Sequence, residues 1–273
     1  MIKAGVIGWP IEQSKSPIIH THWLKVHDIK GSYDKISVSP ENFSNKIIEL
    51  IQKGYAGVNV TIPHKEAALF LADTMTDRAA TIGAANTLVF KSGKVHADNT
   101  DGEGFINNLM HGAPDWNAGM GPALVMGAGG AARAILSSLI DFGVPEIILI
   151  NRTRSRAENL ANVFGPRVVV ADWKEAFLIS SNVKILINTT VLGMIGKDPL
   201  KFDCSRLHHS TLVTDIVYNP LKTELLLSAQ ARGCVTVDGL GMLLHQAVSG
   251  FEAWFGVRPK VDNVLRSKVL LKL

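Results

Sequence analysis

The sequence has little cysteine, no long apolar run and almost no excess of either charge. Its two cysteines, Cys204 and Cys234, stand 30 positions apart, with no CxxC pair and no histidine at ligand spacing. That excludes a disulfide framework and provides no metal site, so reduced thiols in a cytoplasmic protein without bound metal are expected. No stretch approaches the roughly 18 apolar residues of a membrane span. The opening MIKAGVIGWP has neither the apolar region nor the cleavage pattern of a secretory signal. With 28 basic residues against 24 acidic ones, the net charge is only +4. Nucleic-acid binding needs a concentrated basic face, so the expected partners are small molecules, with neither nucleic acid nor membrane, for a monomer or homodimer. The one local concentration, Arg152, Arg154 and Arg156, points to a small anionic site.

What is present is the balance of a folded chain: 47% hydrophobic and 19% charged residues over 273 positions, enough for two modest domains. In the first hundred residues the apolar runs AGVIG, SYDKISV and GVNVTI alternate with helical patterns after Pro17, from Pro40 and from His64. This alternation predicts an α/β fold with a largely parallel sheet. Ser16-Pro17 reads as an N-cap followed by proline at the first helical position. Residues 117–122 are Gly/Pro-rich, as at a domain boundary, and a second series follows with ALVMGAGGAARAILSSLIDFG and EIILINR. Further strands are expected at 167–170, 184–188, 212–216 and 235–237, and a helix over about 242–254. Trp23 and Trp254 have apolar neighbours at helical spacing and belong to the core, whereas His208-His209 reads as a solvated loop.

The second series carries a cofactor signal. Gly127, Gly129 and Ala132 form GxGxxG/A between the strand ending at Met126 and the helical run ARAILSSLI. The first glycine permits a tight turn, the second lets a pyrophosphate approach the backbone, and the small third residue lets helix pack on strand. Diphosphate would meet the amides of Ala128, Gly129, Gly130 and Ala131 at the helix start. Where a dinucleotide-binding domain using NAD ends its next strand with an acid, this chain has Asn151-Arg152-Thr153, followed by Arg154 and Arg156. An acid would repel a 2′-phosphate; a guanidinium binds it, so NADP outranks NAD.

The first series carries a substrate signal in NVTIPHK, residues 59–65. Alternation puts Val58, Val60 and Ile62 on one face of a strand and Asn59 and Thr61 on the other. Pro63 ends the ladder and Lys65 opens the next helix, at the carboxyl end of a parallel strand where α/β sheets bind ligands. Asn86 in IGAANTL and Asp101 in NTDGEGF, both among small residues that allow close approach, are its candidate companions.

Several motifs in order, PIEQSKSPIIH, GVNVTIPHK, GAANTL, NTDGEGF, GAGGAARA with NRT, DIVYNP and GLGMLLHQA, make the chain resemble the shikimate dehydrogenase family from end to end. The resemblance implies a two-domain α/β fold with an interdomain cleft: residues 1–103 and 242–273 bind substrate, and a Rossmann-like domain over 104–241 binds NADP. It implies NADPH-dependent, reversible reduction of 3-dehydroshikimate to shikimate on the path to aromatic amino acids. It gives Ser14 and Ser16 the substrate carboxylate with Tyr218 nearby, and gives Asn59, Thr61, Asn86, Asp101 and Gln246 the ring hydroxyls. Lys65 and Asp101 stand at the reacting oxygen, and Thr189, Ile216, Gly239 and Met242 border the cofactor. In one loop the chain departs from the family: Asn188, Thr189, Thr190 and Val191 stand where asparagine, alanine, threonine and serine are common.

The chemistry explains the set. Hydride addition to a ketone leaves charge on oxygen, which a cation with a transferable proton stabilises and then neutralises. Lys65 has both properties, and Asp101 would orient it. Three alternatives remain: an NAD-using quinate/shikimate dehydrogenase, against which Asn151-Arg152-Thr153 speaks; a noncatalytic ligand-binding relative, which would need neither Lys65 nor Asp101; and another two-domain NADP enzyme such as a methylenetetrahydrofolate dehydrogenase, in which the serine pair and NTDG have no obvious use.

Overall fold

The computed structural model describes residues 1–273. They divide into two compact units, Met1–Asp101 with Leu244–Leu273, and Gly102–Leu243.

The first unit begins β1 (Ile2–Gly8), α1 (Ser16–Val26), β2 (Gly31–Ser37), α2 (Phe43–Gln52), β3 (Tyr55–Val60), α3 (Lys65–Leu71), β4 (Thr74–Met75), α4 (Asp77–Ile82), β5 (Thr87–Lys91) and β6 (Lys94–Asp98). Its six-stranded sheet has the order β2-β1-β3-β5-β6-β4. It is mixed where a largely parallel sheet was expected. β2, β1 and β3 run parallel, but β5 is antiparallel to both β3 and β6. The cause is a two-residue hairpin loop, Ser92-Gly93, in which both residues have positive φ, 53° and 72°. Such a turn matches the twist of adjacent antiparallel strands, and glycine makes it accessible. On one side of the sheet α2 buries Phe43, Ile47 and Leu50, spaced as one helical face, against Ile7, Val58, Val60 and Leu88.

The second unit holds α5 (Asp101–Gly112, which begins at the last residue of the first unit's segment), β7 (Ala123–Met126), α6 (Gly130–Asp141), β8 (Ile147–Ile150), α7 (Arg154–Phe164), β9 (Val168–Ala171), α8 (Ala176–Ile179), β10 (Ile185–Asn188), β11 (Leu212–Asp215), α9 (Glu224–Ala231) and β12 (Val235–Val237). The sheet is parallel throughout, in the order β12-β11-β10-β7-β8-β9. β7, β10 and β11 are buried along their whole length, as strands covered on both faces must be, which explains their unbroken apolar runs. Chain order reverses direction between β7 and β10, and a parallel sheet binds ligands outside the carboxyl ends of its strands at such a switch. The Gly/Pro-rich segment 117–122 lies inside this unit, and Phe105, Ile106 and Leu109 of α5 pack into the same core as β7 and α6.

α10 (Leu240–Phe255) leads back into the first unit, where α11 (Asn263–Leu270) ends the chain. Trp23 and Trp254 are buried here, and each satisfies its indole N–H on a backbone carbonyl, Lys260 at 3.1 Å and Leu88 at 3.0 Å. The β3 backbone passes so close that a Cβ on Gly57 would lie 2.1 Å from the Leu88 oxygen and 2.2 Å from the Trp254 indole nitrogen. Only glycine fits there.

Candidate active site

Lys65 owes its position to the way β3 ends. The strand stops at Val60, although the Thr61 amide still reaches Ile7 O of β1 at 3.0 Å. The chain then turns, His64 N donating to Thr61 O at 3.0 Å, and Lys65 is the first residue of α3. The expectation that Ile62 shares the buried face of Val58 and Val60 fails for this reason: beyond the strand alternation lapses, and Ile62 is 68% exposed. His64, which periodicity did not mark, is the anchor of the turn. It is buried, stacked on Phe43 with centroids 4.7 Å apart, and its Nε2 lies 2.7 Å from Val38 O.

Asp101 stands at the start of α5, its amide donating to Asn99 Oδ1 at 3.1 Å while Asn99 Nδ2 donates to Ala84 O at 2.9 Å. Its Oδ2 accepts from Lys65 Nζ at 2.5 Å, and its Oδ1 from Asn86 Nδ2 at 2.7 Å. The carboxylate is buried and the ammonium partly open, with side-chain exposures of 7% and 27%. Asn86 Nδ2 also lies 3.2 Å from Gln246 Oε1, and Asn59 Nδ2 donates to Asn86 O at 3.2 Å. Lys65, Asp101, Asn86, Gln246 and Asn59 are therefore one hydrogen-bonded group inside the first unit. A buried carboxylate flanked by a cation and an amide can orient the cation without exposing its own charge to water.

Ser14, Ser16 and Thr61 belong to the same unit. The expected N-cap is displaced. A turn from Ser14 N to Ile11 O, 3.0 Å, brings the chain round early, so Lys15 already has helical angles and Ser16 is the first residue of α1. The hydroxyl serving the helix start belongs to Ser14, which accepts from Ser16 N at 3.4 Å. Thr61 is half-buried, its methyl packed over Gly8, where a Cβ would lie 2.5 Å away. Tyr218 lies in the second unit, past β11; burial raises its phenol above the usual value.

At the carboxyl ends of β7 and β8, Gly127 has φ +110° and donates to Ile150 O at 2.8 Å. A Cβ there would sit 2.6 Å from Thr189 Oγ1. Gly129 caps α6 with no side chain on its free amides, no acid stands in the first turn, and the space over Gly129 and Gly130 is open. Ala132 is fully buried against the sheet, as the motif requires. Asn151 spends both ends of its amide on local structure: Oδ1 accepts from Ala128 N at 3.2 Å and Nδ2 donates to Thr153 O at 2.8 Å.

The three arginines separate. Arg154 is held by Asp172 and Glu158, each at 2.8 Å, with Asp172 the larger cause of its raised pKa. Arg152 and Arg156 are exposed and have no carboxylate in reach. Ala131 opens the helix beside Gly130, and Met242 packs partly against the second unit's core. Thr189 gives its hydroxyl to Met126 O at 2.8 Å, and Thr190 gives its own to Asn188 Oδ1 at 2.8 Å, so in the departing loop both hydroxyls are taken internally. Ile216 N donates to Asn188 O at 3.1 Å, and Gly239 passes the same segment so closely that a Cβ would meet Ile216 O at 2.3 Å.

Sequence reasoning also missed Asp215. It is fully buried at the end of β11 and accepts from Asn188 Nδ2, Val217 N and Thr223 Oγ1 at 2.9, 2.9 and 2.7 Å. Burial nevertheless pushes its carboxyl up to about 6. Tyr33, Thr87 and Thr100, which bond to the Asn59 and Asn86 side chains, went equally unmarked. Their partners are distant in sequence, and only strand register brings them together.

Known proteins match this arrangement along the chain. The family model for the shikimate dehydrogenase substrate binding domain matches residues 6–88, that for shikimate / quinate 5-dehydrogenase residues 117–216, and that for the shikimate 5′-dehydrogenase C-terminal domain residues 239–267. The shikimate dehydrogenase (NADP(+)) of Paracoccus denitrificans is 56% identical over 98% of this chain and 95% of its own. Among solved structures, quinate dehydrogenase from Corynebacterium glutamicum in complex with NAD superposes with a TM-score of 0.92 at 31% identity, covering 100% of this chain and 99% of that one. Shikimate 5-dehydrogenase from Thermus thermophilus in complex with NADP(H) and shikimate gives 0.89 at 33% identity, with 100% of both chains covered. On identity above one half across nearly its whole length, together with three family models in their proper order, the chain belongs to the shikimate dehydrogenase family.

Proposed function

We propose that the protein is an NADP-dependent shikimate dehydrogenase, an oxidoreductase that reversibly reduces 3-dehydroshikimate to shikimate in aromatic amino acid biosynthesis. The observation that carries the reading is the Lys65–Asp101 pair, 2.5 Å apart, with Asn86 on the second carboxylate oxygen. A noncatalytic ligand-binding relative would have no use for this arrangement.

When bound, the reduced nicotinamide supplies hydride to the ketone carbon. Lys65 hydrogen-bonds the oxygen on which charge develops and delivers its proton there. Asp101 holds the ammonium in place and binds a hydroxyl. In the oxidative direction the pair accepts the alcohol proton, and because the groups are coupled that step belongs to both. Asn59, Thr61, Asn86 and Gln246 serve the ring hydroxyls, which neutral amides and hydroxyls match without adding charge. Ser14 and Ser16, at the start of α1, take the carboxylate with Tyr218, and the helix dipole favours the anion. In this reading residues 1–103 and 242–273 form the substrate domain and 104–241 the NADP domain.

The cofactor residues fit a dinucleotide bearing a 2′-phosphate. The uncapped amides over Gly129, Gly130 and Ala131 suit a diphosphate, and a neutral Asn151 stands where an acid would repel the extra phosphate. Arg152 and Arg156, free of carboxylates, would hold that phosphate beside Thr153. The reading also sets the protein in the cytoplasm as a monomer or homodimer: both cysteines are buried and unpaired, as suits a reducing compartment, and no helix is long and apolar enough to cross a membrane.

The test is the rate of nicotinamide reduction with shikimate or quinate, each against NADP and NAD. Fast turnover with shikimate and NADP alone is expected. Comparable rates with quinate or NAD would move the protein to the NAD-using relatives, and ligand binding without turnover would refute an enzyme.

A further inference from the structure

Resting on the assignment of Lys65 and Asp101 as the proton-handling pair, we infer that Thr87 is a positioning residue. It links two site amides into a single chain of hydrogen bonds that ends on Asp101. The chain begins on β2, where Tyr33 donates its hydroxyl to Asn59 Oδ1 at 2.6 Å. Asn59 Nδ2 donates to Thr87 Oγ1 at 3.2 Å, Thr87 Oγ1 donates to Asn86 Oδ1 at 3.0 Å, and Asn86 Nδ2 donates to Asp101 Oδ1 at 2.7 Å. Each group accepts from the one before it and donates to the one after, so the direction of every member is determined by its neighbours. Asp101, which as a carboxylate only accepts, closes the chain and keeps Oδ2 for Lys65.

The backbone imposes this geometry. Asn59 and Thr87 are direct partners across the antiparallel β3–β5 pair, and the next residue back, Asn86, extends from the end of β5. Thr87 is 2% exposed and meets the site through its bonds to Asn59 and Asn86. Its hydroxyl joins the side-chain amide of Asn59 to that of Asn86. Asn59 turns its nitrogen, and Asn86 its oxygen, toward Thr87, in the same sense in which the Asn86 carbonyl holds Asn59 Nδ2 at 3.2 Å and the Thr100 amide holds Asn86 Oδ1 at 2.9 Å; Thr87 thus reinforces the orientation in which Asn86 presents its nitrogen to Asp101. Chains of this kind polarise one another in a dry interior, so a break in the middle is felt at the end.

The test compares Thr87→Val, which has the same shape without the hydroxyl, with Thr87→Ser, which keeps the hydroxyl, in steady-state kinetics with shikimate and NADP. Thr87→Val should lower kcat roughly ten-fold, the usual scale for a lost buried hydrogen bond, and leave KM for NADP within about two-fold. Thr87→Ser should restore kcat. Tyr33→Phe should lower kcat less, and adding it to Thr87→Val should cost nothing further, because the chain is already cut. Wild-type kcat in Thr87→Val, or equal losses in the valine and serine variants, would overturn the inference, the latter by assigning Thr87 to packing. A wild type that turns over no substrate would refute the functional assignment alone. The side-chain amide NMR signals would then decide: Thr87→Val must shift those of both Asn59 and Asn86, and Thr87→Ser neither.

Discussion

Replacing His20 by phenylalanine should remove a specific part of the protein's sensitivity to acid. His20 is fully buried, and neither ring nitrogen has a hydrogen-bond partner. It stacks on Tyr33 with centroids 3.9 Å apart and planes 3° from parallel, walled by Trp23, Phe251 and Trp254. Burial drives its pKa from 6.5 down to about 3, and the Asn59 side chain offsets this only in part. The unfolded chain therefore binds a proton near pH 6.5 that the folded chain refuses until about pH 3. Stability from this group is fully present above pH 6.5 and is lost as pH falls through that window. The loss is about 2 kcal/mol at pH 5 and about 3 kcal/mol at pH 4. Asp215 acts with the opposite sign. Its folded pKa of about 6 lies above the ordinary 3.8, so its contribution is present at low pH and lost as pH rises through 6. Because Asp215 is common to both proteins, it cancels in the difference. Urea unfolding of wild type and His20→Phe at pH 7.5, 6 and 5 should show the variant gaining on the wild type by about 2 kcal/mol between the ends of the series. Parallel pH curves would mean that the ring is charged or hydrated in the folded protein, which refutes its isolation.

Other substitutions test other links. Lys65→Ala should lower kcat by roughly 10²–10⁴ and leave the dissociation constant for NADP nearly unchanged, since it removes charge stabilisation peculiar to the transition state; single-turnover and fluorescence titrations separate the two, and undiminished turnover would dismiss Lys65 from catalysis. Arg152→Ala should weaken NADP far more than NAD, measured by titration with each, and equal losses would show the 2′-phosphate lies elsewhere. Gly57→Ala should cost roughly 2–4 kcal/mol, because its Cβ would lie 2.1 Å from Leu88 O and displace the Trp254 indole from that carbonyl. An unchanged melting temperature would contradict so tight a fit.

How much was legible depended on the range of the interaction. The buried strands of the second unit were readable because a parallel sheet covered on both faces needs unbroken apolar runs, and LVM, ILI and ILIN are such runs. The Gly127 turn was readable because its conformation and the helix that follows are local. Ile62 misled because alternation does not say where a strand stops, and the stop depends on His64 reaching Val38 O. The β5–β6 hairpin was missed because its loop is only Ser92-Gly93, too short to register as punctuation among the apolar residues. Lys65, Asn86 and Asp101 were visible as residues, but their bonding was not. Tyr33 and Thr87 were invisible, since their roles follow from register between β3 and β5 and between β1 and its neighbours.

Cofactor choice is the point at which fold stops being informative. Quinate dehydrogenase with NAD and shikimate 5-dehydrogenase with NADP(H) superpose on this chain about equally, at TM-scores of 0.92 and 0.89, so the backbone cannot carry the distinction. On the proposed assignment, side chains at the end of β8 carry it. A row of three arginines looks there like one basic patch, yet charge counts only where it is not already neutralised. Arg154 is neutralised twice, by Asp172 and Glu158, and its guanidinium is spent in tying α7 to the segment after β9. Asn151 carries no charge, and its amide is consumed in fixing the glycine turn. On the proposed assignment the selectivity for a 2′-phosphate falls on Arg152 and Arg156. Exchanging Arg154 for alanine should loosen α7 while leaving the ratio of NADP to NAD affinity in place, whereas exchanging Arg152 should change the ratio and leave α7 intact. A shift of the ratio in the Arg154 variant would mean that the ion pairs open when the cofactor binds.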